Sequence, residues 1–233
     1  MPGKIFLVPN VLAENTHASV FPSNLGEKIS HIRHFAVEDP KSARQLLKFW
    51  GLPLNELELY SMHVKKGDVS DILDILKVCM DGEDIGILSD AGLPAIADPG
   101  ENIVLLGHKR GLDIVPLVGP GSLFLALAAS GLNGEKFMFH GYLPKSEGER
   151  IKELKRLESD ARKTSCTHIF IETPYRNQAI FKDMVQQLQP DTRLCLAANI
   201  TSDKEYIKTK EINLWKKENP PIDNIPTVFL IGF

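Results

Sequence analysis

The sequence predicts an α/β protein of two domains, with a parallel-type sheet in the N-terminal one, a mixed sheet in the C-terminal one and a ligand cleft between them. Three observations predict it. Through the first half, apolar runs of strand length alternate with amphipathic stretches of helix length, the pattern of β-α units wrapped on a parallel sheet. Two of those runs, at 85–88 and 113–117, open into loops dense in Gly, Pro and Asp, where open α/β sheets bind ligands. The last three strand-like runs follow one another with little helix between them, which calls for a mixed sheet.

The elements follow in order. Residues 4–8 read as the first strand, 23–31 as a helix and 34–37 as a short strand. Residues 40–50 make a helix with Pro40 in the first turn, where its missing N–H goes unneeded, and Gly51 as the stop. A strand is expected at 57–62. Residues 68–80 form a strong helix whose apolar face carries Val69, Ile72, Leu73, Ile75, Leu76 and Cys79, ended by Asp81-Gly82. The strand at 85–88, a helix at 101–109, the strand at 113–117 and an apolar helix from Ser122 to Ser130 come next. Beyond Gly131 we expect a strand at 136–140, a charged helix at 147–160, a strand at 167–172 and a helix at 174–188 with Pro174 at its start. Strands at 193–199, 206–212 and 227–233 complete the chain. The best boundary lies near 116–122, giving domains 1–117 and 118–233, and ligand pockets favour such interfaces.

Composition excludes several classes. The 233 residues are 43% hydrophobic and 24% charged, an ordinary globular balance. With 27 Lys plus Arg against 30 Asp plus Glu, the net charge is −3, so no strong overall basicity points to nucleic acid, although a local basic patch remains compatible. Cys79, Cys166 and Cys195 are widely spaced, with no Cys-x-x-Cys, and read as buried thiols of a reducing cytoplasm. The N-terminus lacks a signal-peptide core, and no apolar run reaches the roughly 18 residues of a membrane span. His31 and His34 have no third ligand nearby and read as solvated or packing residues, the other histidines are scattered, and no metal is expected.

The loops each allow a plain and a functional reading. Ser89-Asp90-Ala91-Gly92 is either a strand-to-helix turn or a place where Gly92 lets a ligand reach the backbone and Asp90 offers a carboxylate. Asp98-Pro99-Gly100 either caps the next helix or lines the pocket. Gly119-Pro120-Gly121-Ser122 is either a turn with Ser122 as N-cap or a helix start presenting free N–H groups to a carboxylate. Neither a Gly-x-x-x-x-Gly-Lys-Ser/Thr loop nor a Gly-x-Gly-x-x-Gly fingerprint is present, which argues against a dinucleotide enzyme. Glu172-Thr173-Pro174-Tyr175-Arg176 is either a helix start with Glu172 exposed or another strand end facing the same pocket. The charged stretch at 145–163 reads as a solvated amphipathic helix or, less simply, as a face for RNA.

Taken together, Ser89-Asp90-Ala91-Gly92-Leu93-Pro94 followed by Asp98-Pro99-Gly100 resembles the signature of the tetrapyrrole methylase superfamily, nearest its ribosomal RNA small-subunit 2′-O-methyltransferase branch. Glu38-Asp39 with Arg44, Pro116-Leu-Val-Gly-Pro-Gly-Ser122 with Ala128-Ala-Ser-Gly-Leu132, Phe139-His-Gly-Tyr-Leu-Pro-Lys145, and Glu172 to Arg176 resemble further blocks of that branch in the same order. The resemblance implies two α/β domains, usually as a homodimer, with S-adenosylmethionine (SAM) as cofactor in the cleft. It implies a cofactor site lined by Ser89, Asp90, Ala91, Gly92, Pro94, Val118, Gly119, Pro120, Ser122, Ala197, Ala198, Asn199 and Thr227. It implies substrate contacts at Asn10, Arg44, Tyr175 and Arg176, and a general base among Glu38, Asp39 and Glu172.

The chain departs from the branch at Pro9-Asn10-Val11-Leu12, where a Thr-Pro-Ile-Gly-Asn-type loop is usual, and at Pro40-Lys41 and Tyr175; the branch's additional C-terminal segment is not expected here. The expected function is therefore a cytoplasmic SAM-dependent methyltransferase acting on RNA, at a ribose 2′-hydroxyl of ribosomal RNA. The alternatives are methyl transfer to a tetrapyrrole or another small acceptor, and a non-catalytic module that binds SAM or a partner.

Overall fold

The computed structural model of the protein describes residues 1–62 and 70–233. It divides into two units, Met1–Gly121 and Ser122–Phe233, each built on its own five-stranded sheet.

The first unit carries β1 (Lys4–Val8), α1 (His17–Val20), α2 (Leu25–Ile29), β2 (His34–Val37), α3 (Pro40–Phe49), β3 (Glu58–Ser61), α4 (Ser70–Met80), β4 (Ile85–Leu88), α5 (Glu101–Lys109) and β5 (Asp113–Pro116). The strand order is β3-β2-β4-β1-β5, and every pairing is parallel, as the β-α alternation requires. All four residues of β4 are buried, which explains its unbroken apolar run. Gly86 is needed there because a Cβ would lie 2.4 Å from the Phe35 ring on the neighbouring strand.

Phe21, just past α1, and helices α2 and α3, through Leu25, Ile29, Ala43, Leu46 and Leu47, cover one face of this sheet. Helices α4 and α5 bury Ile72, Ile75, Leu76, Cys79 and Ile103 on the other. The chain after β1 and β2 therefore leaves toward one face, and the chain after β4, which lies between them, toward the opposite face. Diverging connections of this kind leave a crevice at the carboxyl ends of the strands.

The second unit carries α6 (Ser122–Ser130), β6 (Phe137–Tyr142), α7 (Glu147–Thr164), β7 (Thr167–Ile171), α8 (Asn177–Gln187), β8 (Arg193–Ala198), β9 (Tyr206–Glu211), α9 (Ile212–Trp215) and β10 (Thr227–Gly232). Its sheet order is β6-β7-β10-β8-β9. Only β6–β7 is parallel; β7–β10, β10–β8 and β8–β9 are antiparallel, so the sheet is mixed, as the crowding of the last strands implied. Its core gathers Leu154, Leu157, Phe170, Ile180, Met184, Trp215 and Phe229.

Several expectations need correction. The helix expected at 23–31 is shorter, because the Ile32 amide turns back to the Ile29 carbonyl, and the separate α1 precedes it. The charged helix runs past residue 160 to Thr164, where Arg162 and Lys163 suit its negative C-terminal end. Pro174 opens a 3-10 turn, Pro174–Arg176, and the α-helix starts only at Asn177. The strand expected to reach Ile212 ends at Glu211; Ile212 and Trp215, one turn apart and fully buried, pull the chain into α9. Asp68 and Val69, expected at the start of α4, and His63 lie outside the described residues. The three cysteines are free and buried. Among the described residues no helix is long and apolar enough to cross a membrane.

Candidate active site

The site builds from the carboxyl ends of β1, β2, β4 and β5. The key fastening is Asn10, 4% exposed, just past β1. Its side-chain amide donates to the carbonyls of Ser89 (3.1 Å) and Asp90 (2.9 Å), while its Oδ1 accepts from the Val11 amide at 2.8 Å. The Asn10 amide donates to the Gly92 carbonyl at 2.8 Å. The resemblance placed Asn10 at the acceptor substrate; the structure gives its side chain to holding the 89–92 loop in shape.

That loop continues in unusual conformations. Gly92, Ala95, Ala97 and Gly100 all have positive φ, at 68°, 65°, 63° and 131°. Two of the four are alanines in a region that disfavours a Cβ, a sign of a backbone shape held by its surroundings. Gly100, not Asp98, occupies the N-cap of α5, so the capping reading of Asp98 falls.

Asp98 instead meets Ser89, Glu38 and Asp90. Burial pushes its carboxyl up to about 6, the Glu38 charge adds to this, the Ser89 side chain's hydrogen bond opposes it, and Asp90 contributes last. Glu38 Oε2 accepts the Asp90 amide at 3.1 Å, and the Glu38 amide donates to the Leu88 carbonyl at 3.2 Å. Three carboxylates thus converge on the crevice between diverging connections, and none of them forms an ion pair among the described residues. Asp98 was noticed in the sequence but not chosen; its signal was the Asp-Pro-Gly run, masked by the equally good fit of that run to a helix cap. The same loop borders a cavity of about 390 Å³ lined by Met62, Ile72 and residues 97–103.

The 118–121 loop packs against Pro9 so closely that a Cβ on Gly119 would sit 2.2 Å from the Pro9 Cβ. The carbonyl of Pro120 faces Gly92, where an added Cβ would be 3.5 Å away. Val118 is exposed, and Ser122 is the first residue of α6. We expect Gly119→Ala to lower stability by about 1–3 kcal/mol, since proline cannot move aside without shifting β1. Urea denaturation measures it; a loss below about 0.5 kcal/mol would show that the loop yields freely.

The other residues are placed as follows. Asp39 is the N-cap of α3, its Oδ2 accepting from the Ser42 amide at 2.8 Å. Arg44 is exposed on α3. In the second unit, Glu172 is 5% exposed, which corrects the reading that left it at the surface. Its Oε1 accepts from the Thr173 amide (2.8 Å) and hydroxyl (3.1 Å), and Oε2 lies 3.1 Å from the Arg176 guanidinium. Arg176 also reaches the Lys145 carbonyl, at 3.4 Å, so both charges are engaged within the protein, whereas Tyr175 is 71% exposed.

Ala198 and Thr227 are cross-strand partners in the β8–β10 ladder, so the structure does bring these two together. Ala197 and Ala198 are fully buried, with their main chain paired to β10 and β9 on either side. The strand end therefore presents Asn199, at φ 49°. Sequence reasoning missed Asn177, fully buried on α8, whose amide donates to Thr227 Oγ1 (3.2 Å) and to the carbonyls of Ile222 and Ile225. Nothing in its local sequence singles it out.

A ribosomal RNA small subunit methyltransferase I of Escherichia coli O157:H7 is 30% identical to this chain over 223 residues, covering 93% of this chain and 73% of that protein. The chain belongs to the ribosomal RNA small subunit methyltransferase I family. The Vibrio cholerae member is 33% identical over 180 residues, and there the match spans only 60% of the relative's length. No family model matches the chain. Among solved structures, the methyltransferase CobJ superposes with a TM-score of 0.65 at 16% identity, over 99% of this chain and 94% of CobJ. The uroporphyrin-III-C-methyltransferase of Thermus thermophilus gives 0.55 at 16% identity, over 100% and 93%. These likenesses establish for this family member the α/β fold of the tetrapyrrole methylases, with one parallel and one mixed sheet, as the sequence resemblance implied.

Proposed function

We propose that this chain transfers a methyl group from SAM to a ribose 2′-hydroxyl of small-subunit ribosomal RNA. Membership of the methyltransferase family supports the reaction class. The observation that carries the cofactor is the acidic crevice at the strand ends, because SAM bears a sulfonium and an ammonium group, and carboxylates without protein counter-ions suit a cation.

Bound there, SAM supplies an electrophilic methyl group, so the protein's tasks are placement and exclusion of water. Asp90 and Asp98 offer charge to the ligand, Gly92 allows backbone approach, and Ser89, Ala91 and Pro94 shape the loop. Val118, Gly119, Pro120 and Ser122 form the adjoining wall. Asn199 and Thr227, with the small side chains of Ala197 and Ala198, remain cofactor contacts in this reading, and Arg44 and Tyr175 the exposed groups for an RNA backbone. Glu38 is the base we favour for the ribose hydroxyl, since Asp39 is committed to its cap and Glu172 to Arg176, which Glu172 positions.

Further support covers assembly and location. β6 is an edge strand on which Phe137, Met138 and Tyr142 are exposed, next to an exposed Phe124, an apolar stretch suited to pairing with a second copy. Three free buried thiols fit the reducing cytoplasm.

Calorimetric titration with SAM tests the cofactor. Asp90 is exposed, so Asp90→Ala is expected to leave stability within about 0.5 kcal/mol while weakening SAM binding roughly tenfold or more. Radiolabelled methyl transfer to small-subunit RNA tests the acceptor. Labelling lost in Glu38→Gln with SAM binding kept supports the base; SAM binding without labelling of any RNA would favour the non-catalytic reading.

A further inference from the structure

At the other end of β7 from Glu172, the second unit gathers four residues that the methyl-transfer reading does not use. Cys166 immediately precedes β7 and His168 is the second residue of that strand, two positions on, and the two side chains come together there. Ser165, in the left-handed conformation at φ 57°, turns the chain sharply from α7 into β7 and brings the last turns of the helix over that strand. Asp160 lies on those turns. One ligand atom each from Asp160, Cys166 and His168 falls within 4.8 Å of the other two.

The arrangement leaves a buried imidazole nitrogen poorly aligned with its partner. His168 is 1% exposed and Cys166 4%, whereas the Asp160 side chain is 40% exposed. His168 Nε2 lies 3.0 Å from Asp160 Oδ2 yet makes no hydrogen bond of acceptable angle. A buried polar atom without a well-aligned partner costs about 1–3 kcal/mol, and Asp160, at ion-pair distance, meets this one only in part. On the far side of the ring, His168 Nδ1 is 2.8 Å from His140 Nε2 on β6. Metal-bound imidazoles are usually oriented through the other ring nitrogen by a carboxylate, a carbonyl or a water, and here the second imidazole occupies that place.

We propose that Asp160, Cys166 and His168 bind a divalent ion of the Zn2+ class, with His140 orienting His168 from behind. The donor set selects the ion. A thiolate disfavours Mg2+ and Ca2+, a carboxylate disfavours Cu+, and a mixed sulfur, nitrogen and oxygen set suits Zn2+ or Co2+. Metal bonds of about 2.0–2.3 Å require the three donors to draw in by roughly 1 Å, within reach of the half-exposed Asp160 carboxylate. On binding, the Cys166 thiol loses its proton to solvent. The His168 Nδ1–H then donates to His140 Nε2, fixing the tautomer that leaves Nε2 for the metal. A water takes the fourth position on the open Asp160 side. The ion would clamp the end of α7 to β7, a structural role independent of methyl transfer.

The test is a titration of the full chain, first stripped with a chelator, with Co2+ and then Zn2+. The expected result is one equivalent of Co2+ with a thiolate-to-metal charge-transfer band in the near ultraviolet, displaced by Zn2+. Cys166→Ser should abolish the band. Asp160→Asn, at a half-exposed position that the fold tolerates, should weaken Co2+ binding about tenfold or more while its circular dichroism stays that of the parent. No such band in the parent chain, a band that persists in Cys166→Ser, or unchanged affinity in Asp160→Asn would each overturn the proposal. In that case the Asp160, His168 and His140 contacts are a metal-free packing cluster.

Discussion

Asn10→Ala is expected to destabilise the first unit by about 2–3 kcal/mol and to weaken SAM binding more than roughly tenfold. The side chain it removes satisfies two carbonyls, those of Ser89 and Asp90, and the Val11 amide. Ser89 is almost fully buried, so water cannot readily replace the lost donor. The loop would relax its positive-φ conformations and with them the placement of Asp90 and Asp98. Asn10→Asp is the sharper variant, because it presents a carboxylate to two carbonyl oxygens and should do at least as much damage. Urea denaturation gives the first quantity and calorimetry the second. Normal SAM affinity in an Asn10→Ala protein that is clearly destabilised would return Asn10 to the acceptor side, where the resemblance had placed it.

Asp98→Asn is expected to act with opposite sign on stability and on binding. The folded carboxyl titrates near 6, above the ordinary value of 3.8, so the folded state holds a proton that the unfolded state releases. Stability contributed at this position therefore falls as pH rises from about 4 to 6 and is constant above that. Glu38, Asp90 and Ser89 are the groups facing it, and the amide retains the Ser89 contact. The variant should gain about 1–2 kcal/mol over the parent at pH 8, with the gain shrinking toward zero near pH 4. SAM affinity should meanwhile drop, and the parent's rise in affinity between pH 5 and 7 should flatten in the variant. A pH series of denaturation curves decides it: a gain equal at pH 4 and pH 8 would mean that Asp98 titrates as an ordinary surface carboxylate. A protein that holds a proton-binding carboxyl where a cation is to sit trades stability for binding.

Much of the fold was legible because period and punctuation agreed. The four buried residues of β4 read as a strand from their unbroken apolar run, and Pro40 and Gly51 bracketed α3. The shortfalls came where tertiary packing outweighs local signal. Trp215 turns Ile212–Trp215 into a helix by reaching the Leu194 carbonyl with its indole N–H at 2.9 Å, a contact 21 positions away. The turns at 89–92 and 118–121 were readable as loops from Gly, Pro and Asp spacing. The fastenings of Asp98, Asn177 and Glu172 were not, since they depend on Glu38 just beyond β2, on Thr227 of β10 and on Arg176 of the 3-10 turn. The meeting of His140, Asp160, Cys166 and His168 was equally hidden, because it joins two strands and a helix.

The placement of β1 has a consequence for how the chain is made. Lys4–Val8 leaves the ribosome well before both of its partners, for it is an interior strand whose two neighbours are β4 and β5, paired through Ile85–Leu88 and Asp113–Pro116. At about 5–20 residues per second, β1 must wait several seconds for either neighbour to be synthesised. Until then an apolar strand has both edges open, so this segment is the one for which nascent-chain chaperones should compete, and slowing translation should lengthen that exposure.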